Sequence, residues 1–570
     1  MESEPKELKF DRRKFLQIMA AAAAATALAS CAPAQATTAP TSNAPVATIP
    51  PTPRVLNLNM PLNRGDIGVN ADPGQSTMYS SYFINYLMFS GLIWLDENLK
   101  PQPDMATDWT ISADTQTYTF HIRKDLKWDD GTPINANDWV YTIVRNLTPG
   151  LPSGQAWMMV DVAGSNDYYT GVSTDPSTIG IKAIDDYTLE IKLGHPSAYF
   201  LMVCSLPAFL PIPKASLDAN KDTWFKPPYV KCSGPFKLTE WITNLRMTFV
   251  QNPNYLNALP GVDKLVVNMI TNAATAMAAY QAGELDVVDV ESGDFLRVQA
   301  DPVLSKELTV NEELGVMHLV WNFVAPFDQV KVRHAIAMSI DRETLCTTIL
   351  PGVGSPAYQF LAPGLLGYDG KVGTELKYNP TQAKQLLSDA GFPGGKGFPD
   401  SYFSYGGGNA AYEAMFEAIQ AMIKDAIGVN IILAPNNQTA SGLTIGAKPY
   451  KPILSRQFWG ADYPDSHDFM AILYTCPASN DATRFGNTEI YYCDATFDKL
   501  VWQAAAELDT TKRADLYKQC DTQLCVTNPA VIPLYYTARP RLIKPYVKGI
   551  IINGDGAPVL RKVSIEGKPA

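Results

Sequence analysis

The chain is poor in the residues that metal sites and many enzymes use. It has only five histidines, and no two of them have the spacing that places two metal ligands on one face of a helix. It also lacks the Gly-x-Ser-x-Gly motif that surrounds the nucleophile of many hydrolases. We therefore predict no metal, no cofactor and no catalytic residues.

Basic charge is scarce as well. The chain has 46 Lys plus Arg against 57 Asp plus Glu, a formal net charge of -11. Residues 1–30 carry a net charge of +1, so their removal would leave -12. Nucleic-acid binding requires a basic surface, which this balance argues against. Beyond residue 30 the sequence also lacks an apolar run long enough to predict a transmembrane helix.

The N-terminus has the layout of an export signal. Arg12 and Arg13 precede the alanine-rich apolar stretch 18–29, which is too short for a stable membrane anchor and ends in small residues. The pair of arginines is typical of a twin-arginine leader, although the acidic residues around it leave the general secretory route open. Leu28-Ala29-Ser30-Cys31 resembles a bacterial lipobox. We predict a signal peptide over residues 1–30 and lipid attachment at Cys31.

The segment that follows Cys31 predicts a tether. Residues 32–53 consist almost entirely of Ala, Pro, Thr, Gln, Ser and Asn, with too few large apolar groups to offset the ordering of a backbone. Proline keeps such a segment extended. We therefore expect residues 31–53 to be a flexible linker that holds the folded body on the outer face of the cytoplasmic membrane.

Cysteine usage fits an oxidising compartment. Eight cysteines are present, and lipid attachment at Cys31 would leave seven, so at least one should be unpaired. Cys476 and Cys493 bracket a polar stretch and are the best candidate for a disulfide; Cys204 and Cys232 are a weaker candidate. The pairing of the remaining cysteines stays open: Cys346, Cys520 and Cys525.

A βαβ unit is predicted in the second half of the chain. Residues 401–405 read as a strand, residues 410–426 as a helix and residues 429–433 as a second strand. Gly406-Gly407-Gly408 lies between the first strand and the helix, as in dinucleotide-binding folds. However, the second strand ends in Ala-Pro-Asn and has no acid to bind a ribose, so we interpret the glycines as a structural turn.

Three carboxylates and an imidazole fall within seven residues, from Asp462 to Asp468. One interpretation is a loop whose aspartate caps a helix over residues 469–474. An oxygen-rich metal site is an alternative. The preceding segment 451–462 predicts a strand whose alternate residues share one face.

That face would carry a cation, an aromatic wall, an open glycine and an anion: Arg456, Phe458, Gly460 and Asp462. At about 3.3 Å per residue the two charged side chains lie roughly 20 Å apart. This spacing suits a short zwitterion with charged termini.

Several stretches together resemble one family, the peptide/nickel class of solute-binding proteins that serve ATP-binding-cassette importers. The resemblance covers essentially everything from residue 54 onward. The stretches that carry it, in chain order, are 86–95, Asp108-Trp109, 118–128, 130–141, Ser233-Gly-Pro-Phe-Lys-Leu238, Asn252-Pro-Asn-Tyr255, 326–333 with Ile340-Asp-Arg342, 378–391 and Trp459-Gly-Ala-Asp-Tyr463.

The resemblance implies an α/β fold, a two-lobed periplasmic-binding-protein-like clamp of type II with an additional α+β lobe. Ligand would be enclosed between lobes I and III, and two strands near residues 310 and 525 would form the hinge. The implied boundaries are 54–95, 191–310 and 526–570 for lobe I, 96–190 for lobe II and 311–525 for lobe III.

The resemblance also implies roles for individual residues. Asp462 matches the acid that binds the α-ammonium of a peptide, and Arg456 matches a position that can meet the carboxylate. Phe458 and Gly460 match positions that pair with the ligand main chain, although related proteins have a cysteine at the glycine. The disulfide of dipeptide-binding members has a spacing similar to that of Cys476 and Cys493. The remaining members of the predicted ligand-binding set are Trp459, Tyr463, Trp321 and Asn322.

The implied function is that of a substrate-binding lipoprotein without enzymatic activity. It would capture a short peptide and deliver it to a membrane permease driven by a cytoplasmic ATPase, and we expect it to be monomeric. The same fold could instead bind an oligosaccharide, a nickel complex or an opine. A secreted hydrolase with paired carboxylates is a more remote alternative, because no such pair can be identified in the sequence.

Overall fold

The computed structural model describes residues 53–59, 70–151, 153, 155–435, 453–476, 492–552, 554 and 558–569. The predicted signal peptide, Cys31 and the predicted linker up to Thr52 lie outside these residues. Most of the segment between Cys476 and Cys493 lies outside them as well.

The described strands, in chain order, are β1 (Val55–Asn59), β2 (Ile93–Leu95), β3 (Pro101–Pro103), β4 (Ala106–Ile111), β5 (Thr117–Ile122), β6 (Ile181–Asp185), β7 (Thr188–Lys192), β8 (Phe236–Ile242), β9 (Arg246–Gln251), β10 (Lys264–Asn268), β11 (Val287–Asp289), β12 (Leu308–Trp321), β13 (Gly354–Pro356), β14 (Ser401–Tyr405), β15 (Ile431–Pro435), β16 (Ile453–Gly460), β17 (Val531–Ile543), β18 (Val547–Lys548), β19 (Ile551–Ile552), β20 (Pro558–Val559) and β21 (Ser564–Ile565).

The described α-helices are α1 (Tyr79–Met88), α2 (Ala136–Asn146), α3 (Ser165–Tyr169), α4 (Phe200–Val203), α5 (Lys214–Ala219), α6 (Ala273–Gln281), α7 (Ser292–Ala300), α8 (Val330–Ala337), α9 (Arg342–Thr344), α10 (Pro380–Asp389), α11 (Ala410–Ile427), α12 (Ser466–Tyr474), α13 (Ala495–Ala506) and α14 (Thr510–Thr522). Short 3-10 or π turns lie at Ala156–Met159, Pro176–Thr178, Pro207–Phe209, Leu304–Lys306, Leu345–Ile349, Thr374–Leu376, Pro393–Gly395 and Gln523–Thr527. In the parts of the chain just given, no helix is both long and apolar enough to cross a membrane.

One large sheet runs through most of the molecule. Its order is β15-β14-β16-β12-β17-β11-β1-β10-β9-β8, with β13 paired to β17. The two longest strands, β12 and β17, pair antiparallel, with an irregularity in register between Glu312 and Val316. On one side of this irregularity, β17 pairs with β11 through residues 541–543. On the other side, β12 pairs with β16 through residues 315–321. The two long strands therefore join two halves of the sheet.

A glycine is required where the two halves meet. A Cβ atom at Gly315 would lie 2.5 Å from the Thr537 hydroxyl oxygen and 3.2 Å from the ring of Phe458. Both distances are shorter than ordinary van der Waals contact, so a larger residue here would push β12 away from its neighbours.

A separate four-stranded antiparallel sheet has the order β4-β5-β7-β6. Helix α2 packs on it with Trp139 and Ile143 fully buried. The start of this helix is fixed by a capping box, in which the Asn135 side chain accepts from the backbone and Asp138 accepts from the Asn135 N–H. The helix and all of the sheet except the last two residues of β7 fall within 96–190, the range predicted for lobe II. The boundaries of that lobe remain a prediction.

The predicted βαβ unit is present. Strand β14 has the predicted bounds, α11 ends one residue later than predicted, and β15 begins two residues later. Asn409 caps the helix by accepting from the Tyr412 N–H. Gly428, with a φ of 76°, ends it in the left-handed conformation that favours glycine.

Each half of the large sheet has its own hydrophobic core. Residues of β1, β8, β9 and β10 pack in one cluster with the four-stranded sheet. Residues of β12, β14 and β16 pack with α8, α10 and α11 in a second cluster, and α12, α13 and α14 pack in a third. Because the cores are largely separate, the connection between the halves depends on β12 and β17.

Candidate functional site

Strand β16 presents its side chains alternately to two sides, as the sequence predicts. Arg456 and Phe458 line one cavity. Trp459, the next residue of the strand, is partly buried and donates its indole N–H to Asp468 at 2.9 Å. Gly460 pairs with Gly315 at the end of the β12–β16 ladder. The predicted aromatic residue Trp459 therefore contacts a structural acid of the following loop.

The cavity at Arg456 and Phe458, here called the cleft cavity, has a volume of about 460 Å³. Its walls come from both halves of the large sheet and from the two long strands between them. The lining segments are 289–292, Glu313 with Met317, 350–353, 406–412, 456–458 and 535–540. A ligand here would touch both halves of the molecule at once.

Buried ion pairs line the base of the cleft cavity. Arg539 contacts Glu313 at 2.8 Å and Asp289 at 3.1 Å, and Arg541 contacts Asp289 at 2.7 Å. Burial would raise the pKa of Asp289, but the neighbouring positive charges of Arg541 and Arg539 outweigh it and lower that pKa. These groups neutralise one another within the protein.

Arg456 has a different environment. Its guanidinium lies 4.6 Å from the centre of the Tyr412 ring, and one of its nitrogens lies 3.7 Å from the Met317 sulfur. No carboxylate among the residues in the described ranges forms an ion pair with it. Glu291 lines the same cavity, and its pKa is raised first by burial and then by the charge of Asp289. The cleft cavity thus offers both a cation and an acid to a ligand.

Asp462 and Tyr463 line a second, smaller cavity of about 60 Å³, here called the Asp462 cavity. Most of its lining is apolar: Ile93, Trp94, Leu95, Leu99, Leu206, Leu210, Leu314 and Val559 contribute. Its one basic residue, Arg561, contacts the buried Asp104 at 2.6 Å. Asp462 is the single acid among the described lining residues.

In the loop after β16, some acids bind backbone N–H groups of the protein and one lines a cavity. Asp465 is the N-cap of α12 and accepts from the His467 N–H at 2.9 Å. Asp468 is fully buried and accepts from the backbone N–H of Asp462 at 3.1 Å. Burial, and then the negative charge of Asp462, raise the pKa of Asp468 well above its usual range. The helix cap predicted for this loop is therefore Asp465, and Asp462 lies outside the helix.

The structure does not bring all the predicted ligand-binding residues together. Trp321 is fully buried and donates its indole N–H to the Pro529 carbonyl at 2.9 Å, and Asn322 is 2% exposed. Neither is among the residues that line the two cavities. Trp321 packs in the core that contains α8, α10 and α11, and the next residue, Asn322, is buried as well.

The predicted disulfide between Cys476 and Cys493 is present. It joins the end of α12 to the start of α13, two helices that pack in the same core. The predicted pairing of Cys204 with Cys232 is wrong, because both are free thiols within the first core. Burial raises the pKa of the Cys232 thiol to about 12.

Removing this disulfide should destabilise the helices around the site. The bond spans 17 residues, and closing a loop of that size contributes about 3 kcal/mol in the chain-entropy model. We expect the Cys476→Ser/Cys493→Ser variant to lose about that much free energy of unfolding, measured by urea titration under oxidising conditions. Dithiothreitol should shift the midpoint of the native protein but not that of the variant. An equal shift in both would contradict a stabilising role for this bond.

Several lining residues were not predicted from sequence. Glu291, Tyr412, Arg539 and Arg561 come from segments far apart in the chain, and no local motif marks them. One signal was available: Arg539 and Arg541 alternate in an otherwise apolar strand, which indicates buried acidic partners. In the ranges that the structure describes, no group of three His, Cys, Asp or Glu side chains could hold a metal ion.

Comparison with known proteins gives matches over most of the chain. Residues 100–481 match the model of bacterial extracellular solute-binding proteins, family 5 Middle. The chain is 28% identical over 497 residues to the periplasmic oligopeptide-binding protein OppA of Salmonella typhimurium. This match covers 85% of the chain and 88% of that protein. The chain is also 28% identical over 480 residues to the probable deoxycholate-binding periplasmic protein YgiS of Escherichia coli, covering 82% and 85% respectively.

Solved structures show the same fold. Haemophilus influenzae OppA in complex with the peptide RPPGFSPFR superimposes with a TM-score of 0.71 at 25% identity, over 90% of this chain and 99% of that one. This likeness confirms the predicted α/β class and the two-lobed clamp.

Proposed function

The chain belongs to family 5 of the bacterial extracellular solute-binding proteins, as its motifs predict, and from this membership we propose that it captures a short peptide for an ATP-binding-cassette importer. The ligand is enclosed between lobes I and III and is released unchanged to a membrane permease. The oligopeptide-binding relatives, and the peptide in the H. influenzae complex, support a peptide as the ligand.

The proposed lobes are those of the sequence prediction: 54–95, 191–310 and 526–570 for lobe I, 96–190 for lobe II, and 311–525 for lobe III. Support comes from the separate cores and from the two long strands that join the halves of the sheet. We propose that β12 and β17 bend near Gly315 when the lobes close, because this is where their register is irregular.

One observation carries the assignment of the ligand: Asp462 is the single acid among the described lining residues of an apolar cavity beside β16. A carboxylate in such surroundings attracts an ammonium group strongly because little water screens the charge. The alternative role, a helix cap, is filled by Asp465. We therefore assign the α-ammonium of the peptide to Asp462, with Tyr463 beside it.

The carboxylate end and the main chain of the ligand are assigned to the cleft cavity. Arg456 presents its guanidinium there, held over the Tyr412 ring. Phe458 and Gly460 lie in β16 beyond Ser455, the last residue of the strand that pairs with β14 in the described chain. There the strand would pair with an extended peptide as an added strand does. Trp459 supports this arrangement from behind through its bond to Asp468.

Export and anchoring follow from the N-terminal motifs. We propose cleavage before Cys31, lipid on that residue, and a monomeric body tethered outside the cytoplasmic membrane. A permease with a cytoplasmic ATPase would be the partner. The oligosaccharide, nickel and opine alternatives concern the ligand alone. The hydrolase alternative gains no support from Asp468, because this carboxyl is fully buried and bound to Trp459 and to the Asp462 N–H.

The experiment is a paired comparison of amino termini. The purified protein is mixed with a casein digest, the retained peptide is identified by mass spectrometry, and it is synthesised with a free and with an acetylated amino terminus. We expect Asp462→Asn to weaken binding of the free-amino peptide about 10- to 100-fold, the range for one charge-assisted hydrogen bond. The acetylated peptide should bind the native protein and the variant equally.

A matched control is Asp400→Asn, which removes one negative charge from an exposed position. It should bind both peptides as the native protein does. Retention of no peptide would contradict the proposed ligand class. Equal weakening of both peptides by Asp462→Asn would contradict the ammonium-binding role.

A further inference from the structure

A third cavity, here called the aromatic cavity, shares the lining residue Tyr463 with the Asp462 cavity. Its volume is about 270 Å³, just below the roughly 300 Å³ at which pockets begin to hold drug-sized ligands. Tyr463 lines both cavities. The walls come from three separate segments, 157–166, 195–203 and 463–472, together with Trp502 of α13.

Several aromatic rings line this cavity. The rings of Tyr199 and His467 are stacked 3.7 Å apart, and the centre of the Trp502 ring lies 6.0 Å from that of His467. Trp157 and Tyr463 complete the aromatic lining. Tyr199 and His467 are buried at the floor, whereas Trp502 is 39% exposed at the rim. The cavity therefore opens to solvent beside a tryptophan.

Among its described lining residues, the aromatic cavity has one carboxylate. Asp161 is 6% exposed, and its carboxylate oxygen lies 3.2 Å from Nε2 of His195, whose side chain is about half exposed. Among the described lining residues there is no lysine or arginine. A buried acid with a solvent-exposed imidazole as its ion-pair partner can exchange that partner for another cation.

We propose that the aromatic cavity binds a small organic ammonium cation of about the size of choline. Aromatic faces attract such cations through their quadrupoles, and a nearby carboxylate adds direct charge attraction. A strongly hydrated metal ion would lose its water without replacement ligands, whereas an alkylated ammonium presents an apolar surface that fits indole and phenol rings. The proposal goes beyond peptide capture and does not depend on it.

His195 and the ligand compete for Asp161. The hydrogen bond that His195 donates to the Asp161 carboxylate raises the pKa of His195 more than burial lowers it. The other titratable groups around this carboxylate are Tyr118, Tyr199, Tyr463 and His467. Because the tyrosine pKa values are all raised, these phenols stay neutral at ordinary pH. Removal of the His195 imidazole should therefore strengthen the binding of an ammonium ligand.

The test measures choline against its neutral isostere, 3,3-dimethyl-1-butanol, by isothermal titration calorimetry on the purified protein. We expect choline to bind at least tenfold more tightly than the isostere. Asp161→Asn should abolish this preference, Trp502→Ala should weaken choline binding several-fold, and His195→Gln should strengthen it several-fold. Asp400→Asn is the control for loss of one negative charge and should change nothing.

The melting temperature of each variant checks that it folds. If Asp161→Asn does not fold, Trp502→Ala, which changes a partly exposed residue, provides the second test. The proposal would be overturned by equal binding of choline and its isostere, or by no binding of choline at millimolar concentration and tenfold molar excess. It would also be overturned by an unchanged preference in a folded Asp161→Asn variant, or by unchanged choline affinity in a folded Trp502→Ala variant. Sedimentation with phosphatidylcholine vesicles distinguishes a lipid headgroup from a free ammonium compound. Peptide binding is measured separately, so failure of either proposal is recognised on its own.

Discussion

Replacing Arg513 by methionine is expected to lower the free energy of unfolding by about 3–5 kcal/mol, because it leaves a buried aspartate without its cation. Nη2 of Arg513 lies 2.7 Å from the Asp465 carboxylate, and both side chains are less than 10% exposed. Methionine fills a similar volume without charge. Urea titration of the native protein and the variant measures the difference.

The Arg513→Met substitution should also affect the candidate ligand site. Asp465 caps α12, the helix that carries Asp468, and Asp468 in turn accepts from the Asp462 N–H. Without its cation, the Asp465 carboxylate would turn toward water, and the loop between β16 and α12 would then loosen. We therefore expect peptide affinity to fall in the folded Arg513→Met variant even though the residue lines neither ligand cavity.

A surface ion pair gives the control. Lys214 and Asp218 lie 2.5 Å apart one helical turn from each other, with side chains 59% and 54% exposed. Lys214→Met should leave the unfolding midpoint unchanged within error, since water already solvates Asp218. If Lys214→Met and Arg513→Met had equal effects, burial of the Asp465 pair would not be the source of its stabilisation.

Local patterns predicted the elements that later carry the site. The alternation of apolar residues and the punctuation by glycine and asparagine located β14 and α11 within one residue. The strand predicted over residues 451–462 is observed as β16, and the helix predicted over residues 469–474 begins earlier, at Ser466. Such features depend on neighbours within a few residues, so a single sequence contains them.

Contacts between distant segments could not be predicted in this way. The sequence offers Cys204 and Cys232 as a weaker candidate pair, and the structure buries both thiols unpaired. The indole of Trp459 was assigned to the ligand, yet it bonds Asp468. The burial of the two thiols is fixed by packing of distant segments, whereas the partner of Trp459 lies only nine residues further along the chain. The family resemblance supplied what local patterns could not, namely the two-lobed clamp.

Lowering the pH from 7 to 4.5 should destabilise the native protein relative to a His318→Gln variant. His318 is fully buried, and burial lowers its pKa from 6.5 to about 4. Its Nε2 accepts from the Tyr474 hydroxyl at 2.9 Å, an arrangement that needs the neutral ring. In the unfolded chain the same histidine binds a proton near pH 6.5.

Between pH 6.5 and 4 the unfolded state therefore binds more protons at this position than the folded state does, and stability falls as pH falls. The full difference, reached near pH 4, is about 3 kcal/mol. Burial raises the pKa of the carboxyls of Asp138 and Asp521 to about 6, which changes stability in the opposite direction over part of this range. The informative quantity is therefore the difference between native protein and variant at each pH.

His195→Gln serves as a control of opposite sign. The pKa of His195 is raised by its hydrogen bond to Asp161, so the folded state binds the proton more tightly than the unfolded state. The stabilisation from this pair is present below pH 6.5 and is lost as the pH rises through the folded-state pKa. On acidification the native protein should thus lose stability relative to His318→Gln. It should gain stability relative to His195→Gln. Parallel pH profiles for both variants would show that neither histidine titrates as its surroundings require.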